Sequence, residues 1–304
     1  MRVRRIALVA LVLVAVSLFA ALLIGWYLTR PVNSAVPAPA PPGRVVALVA
    51  SDGVPVAGSY WPGARAGGPA VLLLHGINNT RDRLRQQALW LNGLGYAVLA
   101  IDFRGHGESG AEPRSFGWNE SHDARAALAF LRAGAPRRRV GVIGISLGGA
   151  ASLTGPQGPL PVEAMVLHAV YPDLRTAIAN RVGRAGRWAA WLGEPLLSYQ
   201  AWPRYGVSPA RIAPIEGIAR FSGRVLIVGG TADRDTTPAD TRALFAAAAG
   251  RKQLWLVEGA DHLATSILWT DAYRRRVRAF FAQSLGEPGI IAARPGSATG
   301  PAAP

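Results

Sequence analysis

The sequence predicts an α/β fold: a mainly parallel central sheet with helices on both faces and a helical cap insertion, preceded by one N-terminal transmembrane helix. Three observations predict it. Residues 6–28 form an uncharged apolar run. Between about 45 and 286, short apolar runs rich in β-branched residues alternate with helical patterns. A serine flanked by glycines, Gly144-Ile145-Ser146-Leu147-Gly148, directly follows one of those runs.

The N-terminal run of 23 residues would span about 34 Å as a helix, enough to cross a bilayer. Secretory signal cores are shorter, about 7–15 residues. Arg30-Pro31 and the proline-bearing Ala38-Pro39-Ala40 leave no good cleavage site behind it. Trp26 and Tyr27 sit where interfacial aromatics belong, and Arg2, Arg4 and Arg5 hold the short end in the cytoplasm. Residues 1–5 are thus a cytoplasmic N-terminus, 6–28 a transmembrane signal anchor and 29–44 a Pro/Ala-rich linker read as an extended spacer. The alternative is a cleaved signal and a secreted protein. Residues 45–286 form one domain, and 287–304, with four prolines, a disordered tail.

Composition excludes several classes. With no cysteine in 304 residues there is no disulfide scaffold, cysteine zinc site, iron–sulfur ligation or thiol catalysis. The net charge of +15 is almost all arginine, with Lys252 the single lysine, and is spread over many segments. Only 137–139 and 274–278 cluster, before a strand and on a terminal helix, where solvated faces explain them; no nucleic-acid partner is expected.

The elements follow in order. Residues 44–49 and 54–61 open with a pair of strands; 70–75 is a buried-type strand, and 82–94 a helix with Leu84, Ala88 and Leu91 on one face. Strand 96–102 runs into a glycine-rich loop. Helix 119–131 places Ala124, Ala127, Leu128 and Leu131 at i, i+3, i+4 and i+7. Residues 140–145, 164–168, 225–228 and 253–257 are further strands, and 272–285 closes the domain with Tyr273, Val277, Phe280 and Phe281 inward. From 173 to 215 there are three tryptophans and two tyrosines but no strand pattern, too long for a plain connection. This is read as a helical cap; surface helices packing their aromatics are the competing account.

The chemistry stands at strand ends. A serine on a sharp strand–turn–helix, with small residues beside it, presents its Oγ as a nucleophile. Ser146 between strand 140–145 and the small-residue stretch Gly148-Gly149-Ala150-Ala151 has that setting. His75-Gly76-Ile77-Asn78 ends another core strand, so the backbone N–H groups of Ile77 and Leu147 are the candidate oxyanion-hole donors. In Asp102-Phe103-Arg104-Gly105-His106-Gly107-Glu108-Ser109, a structural loop held by Asp102 and Arg104 is favoured over a hydrolytic role for His106. Of five histidines, His262 follows the last strand in a loop that suits a mobile base; His75, His106, His122 and His168 sit elsewhere. Asp233 follows strand 225–228 as the orienting carboxylate, Asp235 is its fallback, and Asp261 adjoins His262 too closely to reach its ring.

The order Ser146, Asp233, His262 and the strand-HG, D-x-R-G-H-G-x-S, G-x-S-x-G-G, G-x-x-D and G-x-x-H elements resemble the alpha/beta-hydrolase superfamily over essentially all of 45–286. Gly117-Trp118-Asn119-Glu120 with Asp123 is most similar to serine-aminopeptidase-like and lysophospholipase-like hydrolases. Asp261 departs from the pattern, standing where that family commonly has a small residue. The resemblance implies the alpha/beta-hydrolase fold and a serine hydrolase with Ser146, Asp233 and His262 catalytic and no metal or cofactor. The expected substrate is a small-molecule carboxylic ester or acyl lipid, cleaved through an acyl-enzyme. A peptidase is the runner-up, because 173–215 offers only Asp173 and Glu194 to anchor a substrate amine. A non-catalytic, membrane-tethered binding module is the rival from another class.

Overall fold

Runs such as 70–74 and 97–101 are apolar at every position, which suits strands covered on both faces. The computed structural model describes residues 2–262 and 270–289 and bears this out. Eight strands form the main sheet: β1 (Arg44–Val49), β2 (Pro55–Trp61), β3 (Ala70–Leu74), β4 (Ala97–Ile101), β5 (Val140–Ile145), β6 (Ala164–His168), β7 (Arg224–Gly230) and β8 (Lys252–Val257). Their spatial order is β1-β2-β4-β3-β5-β6-β7-β8. β2 is antiparallel to β1 and β4; the other neighbouring pairs are parallel.

Side chains alternate across this sheet with period two. Leu72 and Leu74 of β3 and Val142 of β5 join one core with α3 (Glu120–Arg132), α4 (Leu147–Leu153), α8 (Pro214–Arg220) and α9 (Pro238–Ala247). Val71 and Leu73, with Ile143, join the other, against α2 (Arg85–Gly93) and α10 (Asp271–Leu285). The expected inward residues Tyr273, Val277, Phe280 and Phe281 are all buried there. The helix expected over 82–94 begins as a 3-10 turn, Arg81–Leu84. Helix α9 adds to the expected elements. It starts at a capping box in which Thr237 and Asp240 each accept the other's backbone N–H.

Residues 173–213 contain only helical elements: α5 (Leu174–Val182), α6 (Arg187–Ser198), α7 (Ala201–Tyr205) and two 3-10 turns. They lie between β6 and α8. The first helix of the chain, α1 (Arg2–Thr29), is apolar and largely exposed apart from one stripe, Ala21, Gly25 and Thr29. That stripe of small residues at four-residue spacing lets α6 pack closely. Gln200 donates to the Ala21 carbonyl (2.9 Å) and fills the space over Gly25, where a Cβ would strike its amide.

The segment after α1 differs from a free spacer. Val32 and Asn33 pair in parallel with His106 and Gly107, and Asn33 Nδ2 donates to the Ser109 carbonyl (2.7 Å). Further on, Arg85 donates to Pro37 and Trp61 Nε1 to Ala40. An extended, proline-rich run leaves its carbonyls unpaired within itself, and here side chains of the domain satisfy some of them. The tail expected from 287 lies, from 290 on, outside the described residues.

The loop after β4 is held by buried ion pairs. Arg104 donates from its backbone N–H (2.8 Å) and its guanidinium (2.6 Å) to Asp123, while Asp52 accepts two further bonds. Asp123 is fully buried and Arg104 nearly so. Replacing Asp123 with Ala leaves that guanidinium with the partly exposed Asp52 alone and strips the loop of the bond to the Arg104 N–H; it should cost about 3 kcal/mol. Urea unfolding of the detergent-solubilised chain, followed by tryptophan fluorescence, measures this; a loss under about 1 kcal/mol would show that the pair does not hold the loop.

Candidate active site

Ser146 sits between β5 and α4 with φ 47° and ψ −105°, a conformation that costs a non-glycine residue about 1–3 kcal/mol. Its neighbours make the turn possible. A Cβ on Gly144 would lie 2.7 Å from Gly149, and one on Gly148 would run into the Leu74 carbonyl. The Ser146 N–H is tied to the His168 carbonyl at the end of β6 (2.8 Å), so the turn is pinned to the next strand. Leu147 is the first residue of α4, a position whose N–H has no partner within the helix.

Ser146, Ile77 and Leu147 line one cavity of about 450 Å³. Part of its wall comes from segments far apart in the chain: Tyr27 and Leu28 at the end of α1 with Arg30 just beyond it, and Leu174, Ala201 and Arg204 from the helical stretch 173–213. Asn78, the next residue after Ile77, has φ 59° and donates its N–H to His106 Nε2 (3.2 Å). Its side chain is held by the Arg114 guanidinium, which also donates to the Leu28 carbonyl (2.7 Å).

Asp233 and His262 meet beyond the ends of β7 and β8. Asp233 Oδ2 accepts from His262 Nδ1 at 2.9 Å, and Oδ1 accepts the backbone N–H groups of Asp235 and Thr236, both at 2.8 Å. The carboxylate is completely buried, its histidine partner partly so. Asp235 is turned away to the Arg184 guanidinium. Neither Asp233 nor His262 is among the residues lining the cavity.

The other histidines have structural partners. His75 Nδ1–H donates to the Gly76 carbonyl (2.7 Å) and Nε2 accepts from Phe103 N–H (3.1 Å), so the ring must be neutral. His106 is likewise neutral, bridging the Arg104 carbonyl (3.0 Å) and Asn78. Burial depresses both to about 4, and His168, against the Tyr273 hydroxyl, to about 3. His122 is bonded to Ser51 at the surface. The motif Gly117-Trp118-Asn119-Glu120 is a brace: buried Glu120 accepts from Ser115 N–H, Ser115 Oγ and Gly117 N–H. This positions Phe116 in the cavity wall, a role that motif spacing alone does not reveal.

Comparison with known proteins decides the family. Residues 71–280 match the family model described as the alpha/beta hydrolase family. The chain belongs to the alpha/beta hydrolase family. It is 32% identical over 243 residues to the uncharacterized protein Rv2307c of Mycobacterium tuberculosis, covering 77% of this chain and 79% of that one. Among solved structures, this alpha/beta hydrolase is similar to the Pyrococcus furiosus esterase Pf2001 (TM-score 0.65, 20% identity, 84% of this chain and 100% of that chain). It is also similar to the Thermogutta terrifontis esterase Est2, solved with propionate bound (TM-score 0.62, 19% identity, 82% and 97%). The fold class expected from the sequence is thereby shown.

The depressed histidines make stability pH-dependent. A histidine whose folded pKa lies below its unfolded value, near 6.5, contributes stability above 6.5 that is lost as the pH falls toward the folded pKa. His168→Phe removes one such group. Between pH 6 and 5, the slope of unfolding free energy against pH should become shallower by up to about 1.4 kcal/mol per unit. Urea titrations of parent and variant across that range measure it, and equal slopes would contradict the neutral buried assignment.

Proposed function

We propose that this alpha/beta hydrolase is a membrane-anchored serine hydrolase of carboxylic esters, with Ser146 as nucleophile, His262 as general base and Asp233 as its orienting carboxylate. The observation that carries the reading is the Asp233–His262 hydrogen bond: of the five histidines, this is the one held by a carboxylate through Nδ1. Such a bond leaves Nε2 as the basic nitrogen and stabilises the imidazolium formed in the reaction.

In the proposed reaction His262 Nε2 takes the Ser146 hydroxyl proton while Oγ attacks the ester carbonyl. The N–H groups of Ile77 and Leu147 receive the charge that develops on the carbonyl oxygen. His262 returns the proton to the departing alkoxide, leaving an acyl-serine and a free alcohol. Water, deprotonated by His262, then attacks the acyl group, and Ser146 regains its proton as the acid leaves.

The cavity's lining supports an ester over a substrate bearing a free amine. Its described lining residues include Arg30, Arg114, Arg181 and Arg204 but no Asp or Glu. The two acids of the cap are engaged elsewhere: Asp173 caps α5 at the Thr176 N–H, and Glu194 pairs with Arg175. The likeness to two esterases points the same way. The Gly117–Glu120 brace with Asp123 is the feature that favours a finer placement with serine-aminopeptidase-like and lysophospholipase-like hydrolases.

The same reading makes α1 an uncleaved signal anchor with the catalytic domain outside the cytoplasm. Its length and hydropathy support a span. Because Gly25, Tyr27, Leu28 and Thr29 wall the cavity, cleavage after the helix would remove part of the site.

Full-length protein in detergent should be labelled by a fluorophosphonate and should hydrolyse p-nitrophenyl esters in preference to aminoacyl anilides. Ser146→Ala should abolish labelling, and Asp233→Asn should lower kcat by about 10³–10⁴. Labelling that survives Ser146→Ala would remove Ser146 as the nucleophile, and a preference for the anilides would turn the assignment to a peptidase.

A further inference from the structure

Helix α6 is built inside out for a protein in water. Its buried residues are Glu194 and Ser198, the former paired with Arg175, while Trp188, Trp191, Leu192 and Leu196 face outward. Tyr199 and Trp202 extend the same exposed surface toward α7. Trp188, Trp191 and Trp202 are 68%, 77% and 64% exposed. Large indole surfaces normally find a partner, and a contiguous exposed patch of them marks an interaction site.

We propose that this outer face of the cap is a membrane-docking surface, embedded in the same leaflet as the C-terminal part of α1; it rests on the reading of α1 as a membrane span. Depth arithmetic identifies the bilayer as the partner. Arg2, Arg4 and Arg5 hold the start of α1 at the cytoplasmic boundary. From Arg5 to Ala21 the helix rises about 24 Å, against about 30 Å of hydrocarbon. Ala21 therefore lies about 6 Å inside the far boundary, and any tilt takes it deeper. Gln200, two residues beyond α6, is bonded to the carbonyl of Ala21, and α6 itself is in contact with α1. The cap helix is thus carried to the depth at which amphipathic helices lie, about 5–10 Å into the interface.

The polar groups agree with that placement. Gln200 and Arg204, the cap residues bonded to α1 carbonyls at Ala21 and Leu22, are turned inward onto the helix. Arg187, exposed at the start of α6, precedes the aromatic face, where a lipid phosphate is within reach of a long side chain.

The cysteine-free chain allows a direct test. Trp191→Cys and Trp202→Cys, each carrying an environment-sensitive fluorophore, would be reconstituted at full length in phosphatidylcholine–phosphatidylglycerol vesicles. Arg139→Cys, exposed at the opposite end of β5 from Ser146, serves as the control. Lipids bearing a nitroxide at a shallow acyl position should quench the two cap labels by about twofold or more and leave the control unaffected, as shallow immersion requires. Carbonate extraction of the same samples separates the failures. Protein that resists extraction but whose cap labels behave like the control keeps the span and overturns the docking surface. Should those labels instead be quenched only by a nitroxide placed on a second copy of the chain, the face is a self-association surface and the proposal also fails. Protein released by carbonate overturns the span, and the docking surface with it.

Discussion

Everything about the candidate site depends on one backbone constraint, the turn at Ser146. A residue with a Cβ is held there at positive φ, and the fold keeps it because both sides are rigid. On one side, β5 is hydrogen-bonded to β3 and β6 along its length. On the other, α4 is buried at every position and rests on the sheet through Leu147, Ala151 and Leu153. Glycines at 144 and 148 remove the atoms that would otherwise collide with Gly149 and the Leu74 carbonyl. The strain is local, and the sheet core that offsets it is extensive.

From that fixed point the neighbouring loops are joined by two neutral histidines, with the Arg114 guanidinium holding the Asn78 side chain. His75 spans from the β3 loop to Phe103, and His106 spans back from the β4 loop to Asn78. Their rings lie 5.0 Å apart, edge to face. Two buried histidines serving as paired donors and acceptors fasten the Ile77 segment to the loop after β4. The buried charged clamps are Arg104 with Asp123 and Arg81 with Asp102. A histidine that titrated near neutral pH in either place would loosen the segment, so their deep burial is part of the scaffold's design.

Much of this was legible in the residues because it is local. Apolar runs bounded by glycines marked the strands, and the position of each motif relative to a strand end followed directly. His262 was singled out by its place after the last strand, and the structure does set it on Asp233 rather than on Asp235. The choice between those two carboxylates was not a matter of spacing: it turns on Arg184, 51 residues away, drawing Asp235 outward. Helix α9 was hidden by alanines, which leave little apolar periodicity between Arg234 and β8, although its Thr237–Asp240 box is written in the sequence. The docking of residues 31–40 and the joining of α1 to the cap were not legible at all. Both are contacts between segments far apart in the chain, and composition describes each segment only by itself.

That last contact changes what the proposed anchor would do. A tether joined by a free spacer would let the domain turn above the membrane, and its substrates would be drawn from the surrounding water. Here the last two turns of α1 are bonded to Gln200, Arg204 and Arg114 and form part of the Ser146 cavity wall. Orientation of the domain is then inherited from the helix. With α1 crossing a bilayer, the cavity would stand at a fixed height and azimuth over the lipid, with apolar walls continuous with the helix that leads into it. An acyl chain reaching Ser146 along that wall would pass from one apolar surface to another, and the cost of exposing it to water, about 0.8 kcal/mol per methylene, would be avoided for each group so transferred. Under the proposed span, a substrate with a long chain would gain most from this arrangement, whereas a soluble short ester would gain almost nothing.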